Sequence, residues 1–216
     1  MNLRTIFCGI GLVAVTAFVT SSFVAAGPND AKNAAKHDHD HAGHDHGDPA
    51  HAMEHPEWTQ PGENHGLLVK TFEGQWNYAT KYWIAPEETP MESTGTSKMT
   101  AVMDGRYIVD HSSGGDEHTK FVGMGVTGFD RIKNKFVSTW VDNMGTGIMY
   151  SEGLYDAKTK SFTFNGQAPD PMTGKYAKVK IVHKITGKDR FTMEMHKYGA
   201  GGGEWKFFEI NYTRAN

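Results

Sequence analysis

The sequence has almost no cysteine and no surplus of positive charge, and both shortages argue against whole classes of protein. Its 216 residues include a single cysteine, Cys8. One thiol cannot build a disulfide framework or a thiolate metal site. Twenty-two basic residues stand against 25 acidic ones, which gives a formal net charge of −3. A general nucleic-acid-binding protein needs an excess of Lys and Arg against the phosphates, so the charge balance predicts no nucleic-acid partner.

Long hydrophobic runs are also missing, apart from one near the N-terminus. Ile6 to Thr20 form an apolar run of 15 residues, with Arg4 before it and the small residues Val24-Ala25-Ala26 after it. A membrane-spanning helix needs about 20 such residues, whereas this pattern is typical of a secretory signal peptide. We predict a signal peptide over residues 1–26, export to the periplasm or beyond, and no stable membrane anchor after cleavage. Cleavage would also remove Cys8, which lies too early in the run for a lipoprotein.

Residues 27–63 are poor in large apolar side chains and rich in histidine, so we predict a disordered linker. Seven of the 12 histidines of the chain lie in one 19-residue stretch of this segment, from His37 to His55. Neutral imidazoles bind Zn, Cu and Ni well, and a flexible chain can gather several of them around one divalent ion. A solvated spacer with incidental metal affinity and a pH-responsive tail are the alternatives. The candidate metal ligands are His37, His39, His41, His44, His46, His51 and His55.

From residue 64 to 216 the pattern changes to short alternating runs separated by turn residues, and it predicts one all-β domain. Leu67, Leu68 and Phe72 indicate a short N-terminal helix that ends before Gly74. Ten strands at near-regular spacing, with tight turns between neighbours and no long helix, favour an antiparallel up-and-down β-barrel over a sandwich. We predict strands at 75–84, 92–103, 106–113, 118–130, 135–143, 146–154, 160–167, 175–186, 190–198 and 204–213.

Alternation within the strands predicts which side chains face inward. The inward faces are clear in the first, eighth and ninth strands, where apolar residues alternate with polar ones; they are Trp76, Tyr78, Thr80, Tyr82 and Ile84, then Val179, Ile181, His183 and Ile185, then Phe191, Met193 and Met195. The fifth strand is ambiguous, because the set that contains Phe136 and Trp140 and the set that contains Val137 and Val141 are both apolar. Glycines at 123, 125 and 128 indicate bulges or close backbone approach and not a phosphate loop, because no helix follows them.

Several short motifs, in this order, resemble a bacterial family known as domain of unknown function (DUF) 1579. They are Gly74-Gln75-Trp76, Gly128-Phe129-Asp130, Ser138-Thr139-Trp140-Val141-Asp142, Glu152-Gly153 and Tyr212-Thr213-Arg214. The resemblance covers roughly residues 63 to 215 and implies a calycin-like barrel, the group that includes lipocalins and fatty-acid-binding proteins. In such barrels a Gly-x-Trp opens the first strand and an Arg of the last strand packs across the Trp. The resemblance therefore implies a structural contact between Trp76 and Arg214.

The leading functional prediction is an exported barrel that binds a small apolar or amphipathic molecule in its interior. Its predicted ligand-binding residues are Trp76, Tyr78, Tyr82, Trp140, Asp142, Tyr150, Glu152 and His183. One alternative is a metal-handling protein of the cell envelope that uses the histidine-rich segment. Another is a hydrolase-like enzyme that uses Asp142 and Glu152 as paired inward carboxylates. No nucleophile, base and oxyanion arrangement is recognisable, so no catalytic residue is assigned.

Haem is a further candidate cofactor, because barrels of the same broad fold group bind it through one histidine. Nothing in the sequence marks His183 or His196 as such a ligand, and a histidine on an apolar strand face is more often a core residue. The sequence predicts neither the identity of the ligand nor an oligomeric state.

Overall fold

The computed structural model describes residues 56–115, 119–170, 173–199 and 202–216. The predicted signal peptide and all seven candidate metal-binding histidines lie outside these ranges. A 3-10 helix, Glu57–Thr59, and helix α1, Glu63–Phe72, precede the strands. The strands are β1 (Gly74–Tyr82), β2 (Met91–Val102), β3 (Tyr107–Gly115), β4 (Lys120–Asp130), β5 (Lys135–Asp142), β6 (Met149–Asp156), β7 (Ser161–Asp170), β8 (Lys175–Gly187), β9 (Arg190–Tyr198) and β10 (Glu204–Arg214).

The ten strands form a closed barrel in which each strand pairs antiparallel with its neighbours in sequence. The ring closes between β1 and β10, where Trp76 is opposite Arg214 and Tyr78 is opposite Tyr212. The prediction of an all-β, ten-stranded up-and-down barrel with a short N-terminal helix is confirmed. The largest differences in boundaries are three residues: β6 begins at Met149 and not at residue 146, because residues 143–148 form a longer connection than the predicted turn, and β7 ends at Asp170 and not at residue 167.

The predicted inward faces of β1, β8 and β9 are confirmed within the strands. Trp76, Ile181 and Phe191 are 1%, 5% and 2% exposed, respectively. Ile84 is an exception, since it lies beyond the end of β1 and is exposed. In the ambiguous strand β5, the set that begins with Phe136 faces inward, and Phe136 is 2% exposed.

One end of the barrel is filled with aromatic side chains and covered by α1. The helix buries Leu68 and Phe72, and the ring of Phe72 lies 5.3 Å from Phe162 and 5.2 Å from Phe191, centroid to centroid. Trp76 packs edge-on against Phe191 at 4.8 Å, and its indole Nε1 donates a hydrogen bond of 2.8 Å to the carbonyl of Phe72. This aromatic packing makes the α1 end of the barrel solid, and we call it the closed end.

Two arginines attach the segment before α1 to the turns at the closed end. Arg131 donates to the carbonyl of Glu57 at 2.6 Å, and Arg106 donates to the carbonyl of Thr59 at 3.1 Å. Among the described residues, contacts with the barrel thus begin at Glu57, before the predicted domain start at residue 64. Neither helix in the described ranges is long and apolar enough to cross a membrane.

Candidate functional site

The barrel interior contains a cavity of about 630 Å³ beyond the aromatic packing of the closed end. Phe72 forms part of its floor, and the connections at the opposite end, which include Met144, Gly147 and Gly174, form its rim. We call this rim the mouth. Cavities of roughly 300 to 1,000 Å³ are typical of small-molecule sites. The interior is therefore large enough for a ligand and is not packed solid with side chains.

The cavity wall has a polar side and an apolar side. Strands β2 to β6 contribute most of the hydroxyl and carboxylate groups: Ser93, Asp110, Ser112, Thr127, Ser138, Asp142 and Ser151. Strands β8 to β10 contribute mainly aliphatic, aromatic and thioether side chains: Val179, Ile181, Met193, Met195, Phe208 and Ile210. Methionine adapts its shape to irregular partners, and a wall divided in this way matches a molecule with one polar and one apolar part.

Asp110 is the carboxylate that lies deepest on the polar side. It is the inward residue of β3 that follows buried Ile108, and it accepts hydrogen bonds from Ser97 Oγ at 2.6 Å and Ser112 Oγ at 2.9 Å. Burial raises the pKa of Asp110, and the two serine hydroxyls oppose that rise. Both hydroxyls donate to Oδ1. No group of the described residues forms a hydrogen bond with Oδ2.

Two tyrosines lie close enough to Asp110 for its charge to affect them. Burial raises the pKa of Tyr78 to about 12, and the Asp110 carboxylate adds to the rise. The pKa of Tyr212 is also raised by burial, then by Asp110 and Tyr78. The Tyr78 ring packs over the backbone of Gly95 and Gly114, where a Cβ atom would overlap with it. Both phenols therefore stay protonated at neutral pH beside the carboxylate.

His183 lies at the deep end of the apolar side, surrounded by rings. Phe72 and Phe164 meet its ring edge-on, each at 5.8 Å, and Phe191 stacks on it at 6.3 Å. Burial lowers the pKa of His183 to about 4, so the imidazole is neutral at pH 7. Its Nδ1 atom is buried and has no hydrogen-bond partner among the residues that the structure describes.

Ser151 is a second inward side chain with an unmatched polar atom. It is 1% exposed, lines the cavity from β6, and its Oγ has no partner in the described part of the chain. Its neighbours in register show the contrast, because Ser138 on β5 shares a hydrogen bond of 2.8 Å with Thr127 on β4. Buried polar atoms are nearly always paired, so an unpaired one that lines a cavity indicates a missing partner.

Trp140 and Asp142 form a fixed pair closer to the mouth. The indole Nε1 of Trp140 donates to Asp142 Oδ2 at 2.8 Å, and the backbone of Met144 donates to Oδ1 at 3.0 Å. The indole lies against β4, where a Cβ atom at Gly123 or Gly125 would press on its ring. The glycines of β4 therefore make room for an aromatic ring, whereas the sequence predicted a bulge or a close approach of backbone there.

Of the eight residues predicted to bind a ligand, five line the cavity: Tyr78, Tyr82, Trp140, Asp142 and His183. The prediction for Trp76 is wrong, because its ring belongs to the packed closed end and does not line the cavity. Its indole is held by the hydrogen bond to Phe72 and by the contact with Phe191. Its role in the structure is to close the barrel end.

Tyr150 and Glu152 do not face the interior, so the prediction for these two residues is also wrong. Lys133 and Lys135 bind Glu152 at 2.6 and 3.0 Å on the outer surface, and Tyr150 is 43% exposed. Bonds from Lys133 and Tyr150 lower the pKa of Glu152 to about 2. Because Asp142 faces the cavity and Glu152 faces outward, the paired carboxylates of the enzyme hypothesis are not formed.

A second depression lies on the outside of β6 and β7, over these same residues. Its volume is about 740 Å³, and it is lined by Ile148, Tyr150, Glu152 and Leu154 among others. It lies on the outer surface of the sheet, where Ile148 is 63% exposed and Leu154 is 61% exposed. The interior cavity, which the barrel encloses, is the stronger candidate site.

The sequence analysis missed Asp110, Tyr212 and Ser151. Tyr212 could have been predicted, because it lies two residues before Arg214 on the same face of β10. The expected contact of Arg214 with Trp76 therefore also indicates the direction of Tyr212. The alternation of side chains along β3 did not point to Asp110. The outward residues, which include Tyr107 and Val109, have more large apolar side chains than the inward residues, which include Asp110.

Within residues 56–115, 119–170, 173–199 and 202–216, no three histidine or acidic side chains are arranged to hold a metal ion. His196 lies on the outer face of β9, where its ring nitrogens are 3.4 Å from Glu194 and 3.1 Å from Glu204. The predicted metal ligands from His37 to His55 are outside the described residues, so the metal hypothesis stays a prediction about that segment.

One known protein family matches the barrel domain. The model of a family described as "Protein of unknown function (DUF1579)" matches residues 60–214. The chain belongs to this family. The match covers α1 and all ten strands, so the DUF1579 unit is the whole barrel, and the resemblance inferred from the motifs is confirmed. No sequence among the curated proteins matches the chain.

Proposed function

We propose that this DUF1579 protein binds a small amphipathic molecule in the interior of its barrel. One observation carries the proposal: a cavity of about 630 Å³ is lined by Ser151 and His183, and each of these residues has a buried polar atom, Oγ and Nδ1 respectively, with no partner in the described residues. Leaving such atoms unpaired costs about 1–3 kcal/mol each. A bound ligand with matching groups would recover that cost.

The division of the wall supports an amphipathic ligand over a purely apolar one. A purely apolar molecule would satisfy Met193 and Met195 but would leave Asp110 and Ser151 desolvated without partners. A strongly polar molecule would not cover the apolar side. A molecule with both parts fits the two sides together.

A fluorescent probe tests this proposal directly. N-phenyl-1-naphthylamine is neutral at pH 7 and becomes bright in apolar surroundings, so we expect saturable binding to the full chain. Ala168→Phe would place a ring inside the cavity and should weaken binding by about tenfold or more, because the ring takes the probe's space. Asn165→Phe is the matched control, since Asn165 lies on the outer face of the same strand.

Two results of the probe experiment would contradict the proposal. If the wild type does not bind the probe, or if both variants bind it as well as the wild type, then the interior is not a ligand site. Native mass spectrometry of the purified chain adds a second measurement, in which a retained mass should disappear in Ala168→Phe and persist in Asn165→Phe.

The histidine-rich segment supports a separate proposal, an export-linked metal acceptor ahead of the barrel. Seven histidines between His37 and His55 supply imidazole ligands, and the apolar run before them is typical of a signal peptide. N-terminal sequencing of the mature protein should find a new terminus after Ala26. Deletion of residues 37–55 should abolish Zn, Cu or Ni binding in titration calorimetry and leave probe binding unchanged.

A further inference from the structure

The polar groups at the deep end of the cavity can all accept hydrogen bonds, and one of them, Asp110, is a carboxylate. Asp110 contributes a carboxylate whose Oδ2 has no bond among the described residues. His183 is neutral at pH 7 and therefore keeps one unprotonated ring nitrogen, and the Ser151 hydroxyl oxygen can accept as well. A ligand that reaches this end needs hydrogen-bond donors.

The positive charge that acts on Asp110 comes from the imidazole of its sequence neighbour His111, which opposes the rise in the pKa of Asp110. In the described ranges its carboxylate forms no ion pair with Lys or Arg. The lysines that line the cavity, Lys175 and Lys197, belong to the mouth end of β8 and β9. Lys197 also forms cation–π contacts, since its Nζ lies 4.8 Å from the centroid of the Trp205 ring and 5.3 Å from that of the Phe207 ring. The mouth thus carries charges of both signs, since Glu92, Asp142 and Asp170 line it beside the two lysines, whereas Asp110 is the charged group at the deep end.

Three aromatic side chains lie near the Asp110 carboxylate. Tyr78 and Tyr212 are close enough for its charge to raise their pKa values. Trp140 lies two strands away in the same register row, since Asp110 is opposite Gly125 and Gly125 is opposite Trp140. The faces of such rings attract cations, and the attraction grows when water is excluded. A carboxylate among aromatic rings is chemically complementary to an organic ammonium group.

We propose that the ligand carries a protonated amine, which binds Asp110 at the deep end of the cavity while its apolar part lies along β8 to β10. This inference rests on the proposed function, because it specifies the chemistry of the molecule that the interior binds. An ammonium group has three N–H donors and no acceptor, which matches the Oδ2 atom of Asp110, an acceptor without a bond among the described residues. A fatty carboxylate entering head-first would meet the charge of Asp110 and be repelled.

Three eight-carbon molecules test the head group with the chain held constant. n-Octylamine, n-octanol and octanoate are each titrated at pH 7 against the full chain loaded with N-phenyl-1-naphthylamine, and displacement gives their affinities. We expect octylamine to bind about 10- to 100-fold tighter than octanol, because a hydrogen bond to a charged group is worth more than a neutral one. Octanoate should bind more weakly than octanol.

Asp110→Asn removes the charge, keeps the shape and retains an oxygen for the two serines. It should abolish the preference for octylamine over octanol, because octylamine loses the charged partner of its ammonium group. Glu152→Gln is the matched control, because it removes a carboxylate on the outer surface, and it should leave all three affinities unchanged. The comparison of the three molecules on the wild type needs no variant, so it stands even if Asp110→Asn folds poorly.

Different failures overturn different statements. If the wild type binds the probe but binds octanoate or octanol at least as tightly as octylamine, the amine inference is wrong and the ligand-binding function stands. If Asp110→Asn keeps the full preference for octylamine, Asp110 is not its partner and the inference is equally wrong. If neither the probe nor any of the three molecules binds, the proposed function itself fails.

Discussion

Arg214 lies over the indole of Trp76, with its guanidinium carbon 4.2 Å from the ring centroid. The same guanidinium donates to the carbonyl of Glu73 at 2.7 Å and to Asp189 Oδ1 at 3.1 Å. The family resemblance implied this contact, and the structure confirms it. One side chain therefore connects the first strand, the last strand and the turn between β8 and β9.

Arg214→Met should lower the free energy of unfolding by about 1–3 kcal/mol, since it removes a cation–π contact and two charge-assisted hydrogen bonds. Arg214→Lys should recover only part of the loss, because an ammonium lacks the planar fork. Urea unfolding monitored by circular dichroism measures both. Arg190→Met, at an exposed position of β9, is the control; a loss there as large as at Arg214 would contradict the assignment.

Two glycines should respond to alanine with opposite signs. At Gly125 a new Cβ atom would lie 3.0 Å from the Trp140 ring and 3.3 Å from the Thr139 carbonyl, so Gly125→Ala should destabilise the barrel by about 1–3 kcal/mol. At Gly66, within α1, nothing lies within 4 Å of the new atom, so Gly66→Ala should stabilise by about 0.5–1 kcal/mol. Unfolding midpoints that shift in the same direction would refute this explanation.

Ser151→Ala should raise the stability of the ligand-free barrel by about 1 kcal/mol, because it removes a buried hydroxyl that has no partner in the described residues. Ser138→Ala breaks the hydrogen bond with Thr127 and should instead lower stability. Thermal melts of the two variants make the comparison. Equal destabilisation by both would mean that the Ser151 hydroxyl is paired in solution.

Stability should fall as the pH drops from 7 toward 4.5, and His183 should account for part of the fall. Burial is the only cause that lowers its pKa to about 4, so no charged group of the described residues contributes. The unfolded chain takes up a proton near pH 6.5 while the folded barrel resists it, so the folded state loses up to about 3 kcal/mol across this window.

A variant separates His183 from the other groups that titrate in the same window. His65 has a pKa lowered by burial and acts in the same direction, whereas Asp110 has a raised pKa and acts in the opposite direction. His183→Phe should flatten the pH dependence of urea unfolding between pH 7 and 4.5 relative to the wild type. Parallel curves for the two proteins would show that His183 does not titrate as proposed.

The sequence predicts the barrel well because its inward faces are apolar where neighbouring positions are charged. In β8, for example, Val179 and Ile181 alternate with Lys178 and Lys180, so the side-chain period of a strand determines the face. The site is predicted less well because the polar side of the cavity inverts this rule. Strand β3 places Asp110 inside while Val109 faces out, and no alternation of hydrophobicity predicts that.

Strand β6 shows a second physical reason for error. Tyr150 looked like an inward aromatic, but the inward positions are held by Ser151 and Gly153, and a Cβ atom at Gly153 would overlap with the backbone of β7. Small inward residues are dictated by how closely neighbouring strands approach. That distance depends on three-dimensional packing and leaves no periodic signal in the sequence.

Closure of the ring between β1 and β10 also determines the order in which the molecule can assemble. These strands are the most distant in sequence, and Trp76 cannot meet Arg214 until the final strand has left the ribosome. Until then β1 has an exposed edge with unpaired amides, which can pair with another chain. Such distant pairing is intrinsically slow, so the nascent chain passes through an aggregation-prone stage that its final strand ends.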